Sequence, residues 1–216
     1  MQYNGDKLQT RIQEQNIHNL AYAQFPGVGD YGIPEMLSTH INNLQDIPLQ
    51  GFNYALKEKN AENIGVHFFL HDYQFERVWN YPDRYTEILK KFSFVLSPDF
   101  SPYADMPKVL KAYNVYRNRW CGRYWQDFGI DVIPTVTWSD DESLDYCLDG
   151  IPKHSTIAIS TMGEGRWAKW QSLKRNWDYV MTKLEPETVL LYGKDLSKEL
   201  SGNIVFKKLI SSKVAI

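Results

Sequence analysis

The chain has 216 residues, of which 43% are apolar and 14% aromatic, and a formal net charge of -2. That length suits one packed domain, and so apolar a composition excludes an intrinsically disordered chain. Near-neutral charge excludes the general pull toward phosphate backbones that basic proteins exert, and no apolar run approaches the roughly 18 residues that span a bilayer.

The opening MQYNGDKLQTRIQEQN is polar and Gln-rich, without the basic start and apolar stretch of a secretion signal, which predicts a cytoplasmic protein. A helix is expected over about 6–24, followed by the turn-rich FPGVGDYGIP and a short helix near GFNYALKEKN. Residues 1–63 thus read as an N-terminal helical and loop extension packed on a core domain formed by 64–216. Gly27, Gly29 and Gly32 spell GxGxxG, but they follow Phe25-Pro26 and run into Pro34. A dinucleotide fingerprint needs a strand before it and a helix after it, so a plain turn is predicted.

From residue 64 onward one theme repeats: a short β-rich apolar run, a polar turn, then a helical pattern. The runs are IGVHFFL (64–70), FSFVLS (92–97), DVIPTVTW (131–138), STIAIS (155–160), TVLLY (188–192) and NIVFKKL (203–209). Most are continuous rather than alternating, as strands covered on both faces are. Their alternation with helices predicts an α/β fold with a mainly parallel sheet of about six strands and βαβ crossovers, either open and doubly wound or curled into a partial barrel. One helix is predicted from Asp105 to the Gly129 stop, with an apolar stripe of Val109, Tyr113, Tyr116, Trp120 and Tyr124. Ser139 and Glu142 form an S-x-x-E capping box for the next helix, closed by Gly150. A third runs from about Arg166 to Leu184, where Glu185-Pro186 ends it. Cys121 and Cys147 have neither CxxC spacing nor a nearby His pair, and are predicted as buried free thiols.

The segments VHFFLHDYQFERVW, VLSPDFSPYADMP, YNVYRNRWCGRYWQDFGIDVIPTVTWSDD, DGIPKHSTIAISTMG and TVLLYGKD resemble an uncharacterised protein family of phages, plasmids and other mobile elements of Gram-positive bacteria. The resemblance runs from about Tyr31 to Phe206, with SPDFS followed by YRNR as its most specific part. It implies a phage or mobile-element setting, hence a host cytoplasm, and brings no activity with it. The Trp120–Tyr124 stretch is more aromatic than the family pattern, so nothing is carried over there.

Ligands of parallel α/β proteins bind at the carboxyl ends of the strands. Those ends carry His71 and Asp72, Ser97 and Asp99, Trp138, Asp140 and Asp141, Thr161 and Gly163, and Tyr192 and Gly193. Asp99, between two prolines and six residues before Asp105, is not explained by capping and is the candidate catalytic base. His71 and Asp72 are a candidate acid–base pair. Asp99 and Asp140 are candidate ligands of a divalent metal, although Asp140 and Asp141 also lie inside the capping box. Gly163 and Gly165 precede a helix beginning at Arg166, where amide groups and the guanidinium suit an anion. Arg117, Asn118 and Thr161 would hold polar groups of the ligand, and Trp138 or Tyr192, with Gly193 beside it, would stack a ring.

Three functions are compatible with these residues. The first is an accessory protein that binds a phosphorylated small molecule, a nucleotide for example, and processes it with metal help. The second is a non-enzymatic protein whose Trp-rich helices engage a host protein. The third is nucleic-acid handling by the arginines at 117, 119 and 123 interleaved with aromatics, against which stands the ordinary amphipathic pattern of those helices. A Ser nucleophile elbow, Walker loop and HExxH are absent from the sequence, and neither catalysis nor oligomeric state follows from it.

Overall fold

The protein is represented by a computed structural model that describes residues 16–162 and 166–208, with side chains described for 16–162 and 171–208. The helix expected over about 6–24 lies mostly outside the described residues, of which 16–22 form a short helical turn, and a hairpin follows, β1 (Gly27–Val28) and β2 (Ile33–Pro34), in antiparallel pairing across the three-glycine segment. Gly29 and Gly32 sit at φ 67° and 60°, the left-handed backbone that makes this stretch the expected turn.

Seven parallel strands follow among the described residues. β3 (Leu49–Gly51), β4 (Gly65–His67), β5 (Phe94–Leu96) and β6 (Val132–Ile133) form one sheet in that order. β7 (Thr156–Ser160), β8 (Thr188–Gly193) and β9 (Ile204–Lys208) form a second. Between strands lie α1 (Phe52–Ala55), α2 (Arg77–Asn80), α3 (Pro82–Leu89), α4 (Lys108–Asp127), α5 (Leu144–Cys147) and α6 (Arg166–Leu184).

The α/β class and the six expected strands are borne out, but they do not lie in one six-stranded sheet. They divide between the two sheets, joined by a single parallel bridge from Thr135 to Ala158. The seventh, β3, comes from the segment expected as an extension, and it pairs with β4 over Leu49–Gly51. Three residues with a central Gln gave no β signal in the sequence.

Among the described residues strand order follows chain order without reversal, without the switch point of a doubly wound sheet. Strand residues alternate between two apolar surroundings. Phe94, Leu96, Ile133, Ala158, Leu190 and Tyr192 enter one inner cluster with Leu49. Their neighbours Val95 and Val132 pack outward on the aromatic helix layer, and Ile157, Ile159, Val189 and Leu191 pack on α6. Both faces are therefore apolar, which explains the continuous runs in the sequence. Strands from both sheets surround the inner cluster, and Lys207 of β9 donates to the carbonyls of Gln45 and Ile47 ahead of β3. This is the partial-barrel form of the two anticipated.

Two helix expectations change. α4 starts at Lys108 after Pro107, without a side-chain cap, and it is not a surface helix with one apolar stripe. Val109 is 66% exposed, whereas Lys111, Asn114, Asn118 and Arg119 are buried. Hydrophobic spacing cannot reveal a helix whose polar residues are buried among carbonyl partners. The box ahead of α5 is Asp140–Ser143, not Ser139–Glu142: the Ser143 amide donates to Asp140 Oδ1 at 2.8 Å, and Asp140 N–H donates to Ser143 Oγ at 3.1 Å. Glu142 instead accepts from Lys108. Among the described residues no helix is long and apolar enough to cross a membrane.

Candidate functional site

The carboxyl ends of the parallel strands meet around the upper part of the inner cluster. The ends of β5 and β6 are tied reciprocally, the Thr135 amide donating to Ser97 Oγ and Thr135 Oγ1 to the Ser97 carbonyl, each at 2.8 Å. Beside them β4 runs into VHFF, and its two-residue period puts Gly65, His67 and Phe69 on one face. That face meets β8: the His67 and Tyr192 ring centroids lie 4.5 Å apart, and Phe69 stacks on Tyr192 at 5.2 Å with 19° between planes. Gly51, at the end of β3, borders this face, and a Cβ on it would stand in ordinary contact with His67 Cε1, at 3.6 Å.

His67 and Tyr192 are buried, while Phe69 is half-buried. Burial alone pulls the His67 pKa down to about 4, so the ring is neutral at neutral pH. The Phe69 amide donates to His67 Nδ1 at 3.2 Å. Burial also raises the Tyr192 pKa, which keeps the phenol protonated. At the end of β8 the chain turns at Gly193, φ 113°, where a Cβ would stand 2.5 Å from Thr161 Oγ1. Thr161 Oγ1 donates to the Tyr192 carbonyl at 3.2 Å and accepts the Lys194 amide at 2.6 Å, fixing β7 to β8. Tyr192, Gly193 and Thr161 are thus brought together, and with them His67 and Phe69, which reading only strand ends overlooked. The signal for those two was the alternation inside VHFF, concealed because both neighbours of each are apolar or aromatic.

The remaining candidates are engaged elsewhere. His71 is exposed and stacks on Tyr73, while Asp72 accepts from the Ser101 amide at 3.0 Å and hydroxyl at 2.8 Å. The two side chains part, and Asp72 binds one loop to the next. Asp99 is half-buried between the buried Pro98 and Phe100, and its charge acts on Arg119. Arg117 pairs with Glu76 at 2.5 Å, donates to Asn114 Oδ1 at 2.7 Å and lies 3.9 Å above the Phe100 ring. Asn118 Oδ1 accepts from Arg119. Trp138 Nε1 donates to Ser172 Oγ at 3.0 Å. Gly163 and Gly165 lie outside the described residues, as does the Arg166 side chain.

Asp140 accepts from Lys111 at 2.6 Å, and that hydrogen bond holds its carboxyl below the usual carboxylate range. Among the described residues no group of three or more His, Cys, Asp or Glu is placed to hold a metal ion. The tryptophans proposed for an exposed patch are enclosed where described: Trp120, Trp125 and Trp177 are at most 2% exposed. The arginines at 117, 119 and 123 do not form a free basic face either. Arg119 is buried, and Arg123 pairs with Asp127 at 3.0 Å.

Residues 25–208 match the model of a family described as a domain of unknown function, DUF4417. The chain belongs to this family. The DUF4417 match covers the hairpin, all seven parallel strands and the aromatic group at their ends. The chain is 44% identical over 142 residues, 65% of its length, to the Gene 1 protein of Mycobacterium phage L5, covering 60% of that protein. It is 38% identical over 173 residues, 79% of its length, to the Gene 1 protein of Mycobacterium phage D29, covering 63% of that protein. The match thus spans less than two thirds of either relative. The phage family expected from the sequence is borne out. No solved structure matches this DUF4417 chain.

Proposed function

We propose that this chain is a phage accessory protein that binds a phosphorylated small molecule of the nucleotide class at the carboxyl ends of its parallel strands. The observation that carries the reading is the stacked group His67, Phe69 and Tyr192, drawn from two strands in different sheets and set where such folds bind ligands. A buried ring wall with one half-buried member, Phe69, suits a flat heterocycle, because base–aromatic stacking supplies affinity without demanding one particular base. Thr161 and Gly193 shape the adjoining turn. The amino end of the 19-residue helix α6 follows β7, and a helix start of that kind favours a phosphate.

The reading stops at binding. Among the described residues no donor set stands behind the metal-assisted step, and Asp140 is committed to Lys111 and to the start of α5.

Calorimetric titration of the full chain with nucleoside mono- and triphosphates tests the reading. Binding in the micromolar to millimolar range is expected, weakened about tenfold by Phe69→Ala, in line with the loss of one stacking partner. A chain that binds none of these ligands at millimolar concentration, while melting cooperatively, would sink it.

A further inference from the structure

Arg77 in α2 and Arg84 in α3 differ from every other arginine whose side chain is described. Each of those bonds an acceptor: Arg117 reaches Glu76, Arg119 a set of carbonyls, Arg123 Asp127 and Arg175 Asp141. Arg77 and Arg84 have no acceptor within hydrogen-bond or ion-pair distance among the described residues, and the Nε of Arg77 is itself buried. The acidic residues of the same segment do not supply one. Glu76 pairs with Arg117, Asp83 accepts from the Tyr124 hydroxyl at 2.5 Å, and Glu87 accepts from Lys90. Buried donors in folded proteins are nearly always matched, so a guanidinium left without an acceptor points to one that a ligand brings.

The rings around the pair fix its geometry. The Arg77 guanidinium carbon lies 5.0 Å from the centre of the Phe52 ring and 5.7 Å from that of Tyr85, and these two rings meet edge to face at 5.5 Å. Arg84 approaches the same Tyr85 ring, also at 5.7 Å. A guanidinium whose flat face is held on a ring keeps its N–H edge for a ligand, and two oxygens of one anion fit that edge side by side. Arg77 is half-buried and Arg84 exposed, so the pair is anchored on one side and open on the other. Phe52 and Tyr85 belong to the outer aromatic cluster, whereas Tyr192 belongs to the inner one, which sets this place apart from the strand-end rings.

The kind of anion follows from the charges to be matched. Two guanidinium groups, neither paired among the described residues, suit two negative charges on one group. A carboxylate or a phosphodiester brings one charge, whereas a phosphomonoester brings about two at neutral pH, with three oxygens to share between two forks. We propose that Arg77 and Arg84 form a binding site for a phosphomonoester group on the outer helix layer, separate from the nucleotide site at the strand ends. The group is carried either by a small phosphorylated molecule or by a phosphorylated side chain of a partner protein.

The test is titration of the full chain, followed by amide NMR at neutral pH and fixed ionic strength. The probes are inorganic phosphate, acetate, and a serine peptide in its phosphorylated and plain forms. Saturable phosphate binding in the millimolar range is expected, with acetate at least about tenfold weaker. Arg77→Gln and Arg84→Gln should each weaken phosphate binding at least about fivefold. Arg175→Gln, which removes a guanidinium paired with Asp141, should leave it unchanged. Arg84 is exposed, so its variant decides should Arg77→Gln fail to fold. A phosphopeptide at least about tenfold tighter than inorganic phosphate assigns the group to a partner protein, and comparable binding assigns it to a small molecule; both uphold the site. No saturable phosphate binding, equal binding of acetate, or wild-type affinity in Arg84→Gln overturns it.

Discussion

The Lys207 ammonium, near the end of the last parallel strand, donates at 2.7 Å to the carbonyl of Ile47, two residues ahead of the first. It donates also to Gln45 at 2.9 Å. Two sheets that share no ladder with each other at this edge are thereby held around one inner cluster. Lys207 is 8% exposed, and burial lowers its pKa. Lys207→Met would keep the apolar stem and leave two carbonyls without their donor. A loss of about 2 kcal/mol is expected in urea unfolding. A loss under about 0.5 kcal/mol would mean that closure is carried by apolar packing alone.

Arg119 plays the equivalent part at the other seam. Its guanidinium donates to the carbonyls of Thr135, Cys147 and Asp149 and to Asn118 Oδ1, at 2.7–3.1 Å, joining α4 to the end of β6 and to the end of α5. It is 1% exposed, and burial draws its pKa down to about 10. Arg119→Lys retains the charge but cannot span a fork of four acceptors. Destabilisation of about 3 kcal/mol is expected from denaturant midpoints. A fully stable lysine variant would show that the fork geometry is dispensable.

The same two residues show how far the sequence was legible. Every strand made of β-branched and aromatic residues was readable, because both faces of it are covered and the apolar run is unbroken, as in TIAIS of β7. β3 was not, since its Leu-Gln-Gly owes its conformation to pairing with β4 rather than to its own composition. Arg119 looked like a solvated charge because spacing counts side chains and is blind to carbonyls, which are its partners. At the candidate site, Tyr192, Thr161 and Gly193 were legible as the ends of strands. His67 and Phe69 were not, because what matters in them is which face of β4 they occupy, and a strand apolar on both faces conceals that.

Asp140 is expected to act on stability through its position at the start of α5. It caps the Ser143 amide and neutralises Lys111, whose side chain is 9% exposed. Asp140→Ala should cost about 1–2 kcal/mol, and Asp140→Asn less, since the amide oxygen retains the cap. The Asp140 carboxyl is held below its usual range, chiefly by Lys111, so its contribution is present above the ordinary carboxylate pKa and disappears as pH falls through the folded value. Equal losses for the two variants would assign the effect to the charge on Lys111 rather than to the cap.

His67 sets a separate pH window. Its pKa is about 4 in the folded chain against 6.5 for an unperturbed imidazole, and burial is the cause. Between those values the unfolded chain binds a proton that the folded chain refuses, so stability is full above pH 6.5 and falls as pH drops toward 4. The whole interval is worth about 3 kcal/mol. The Asp140 carboxyl, lowered from 3.8, loses its contribution only below that interval, so the two effects separate along the pH axis. His67→Phe keeps an aromatic ring beside Tyr192 and removes the titrating group. Denaturant midpoints measured from pH 7 to pH 4.5 should therefore slope for wild type and stay nearly level for the variant. Parallel slopes would mean that burial leaves the His67 pKa near its unperturbed value in the folded chain.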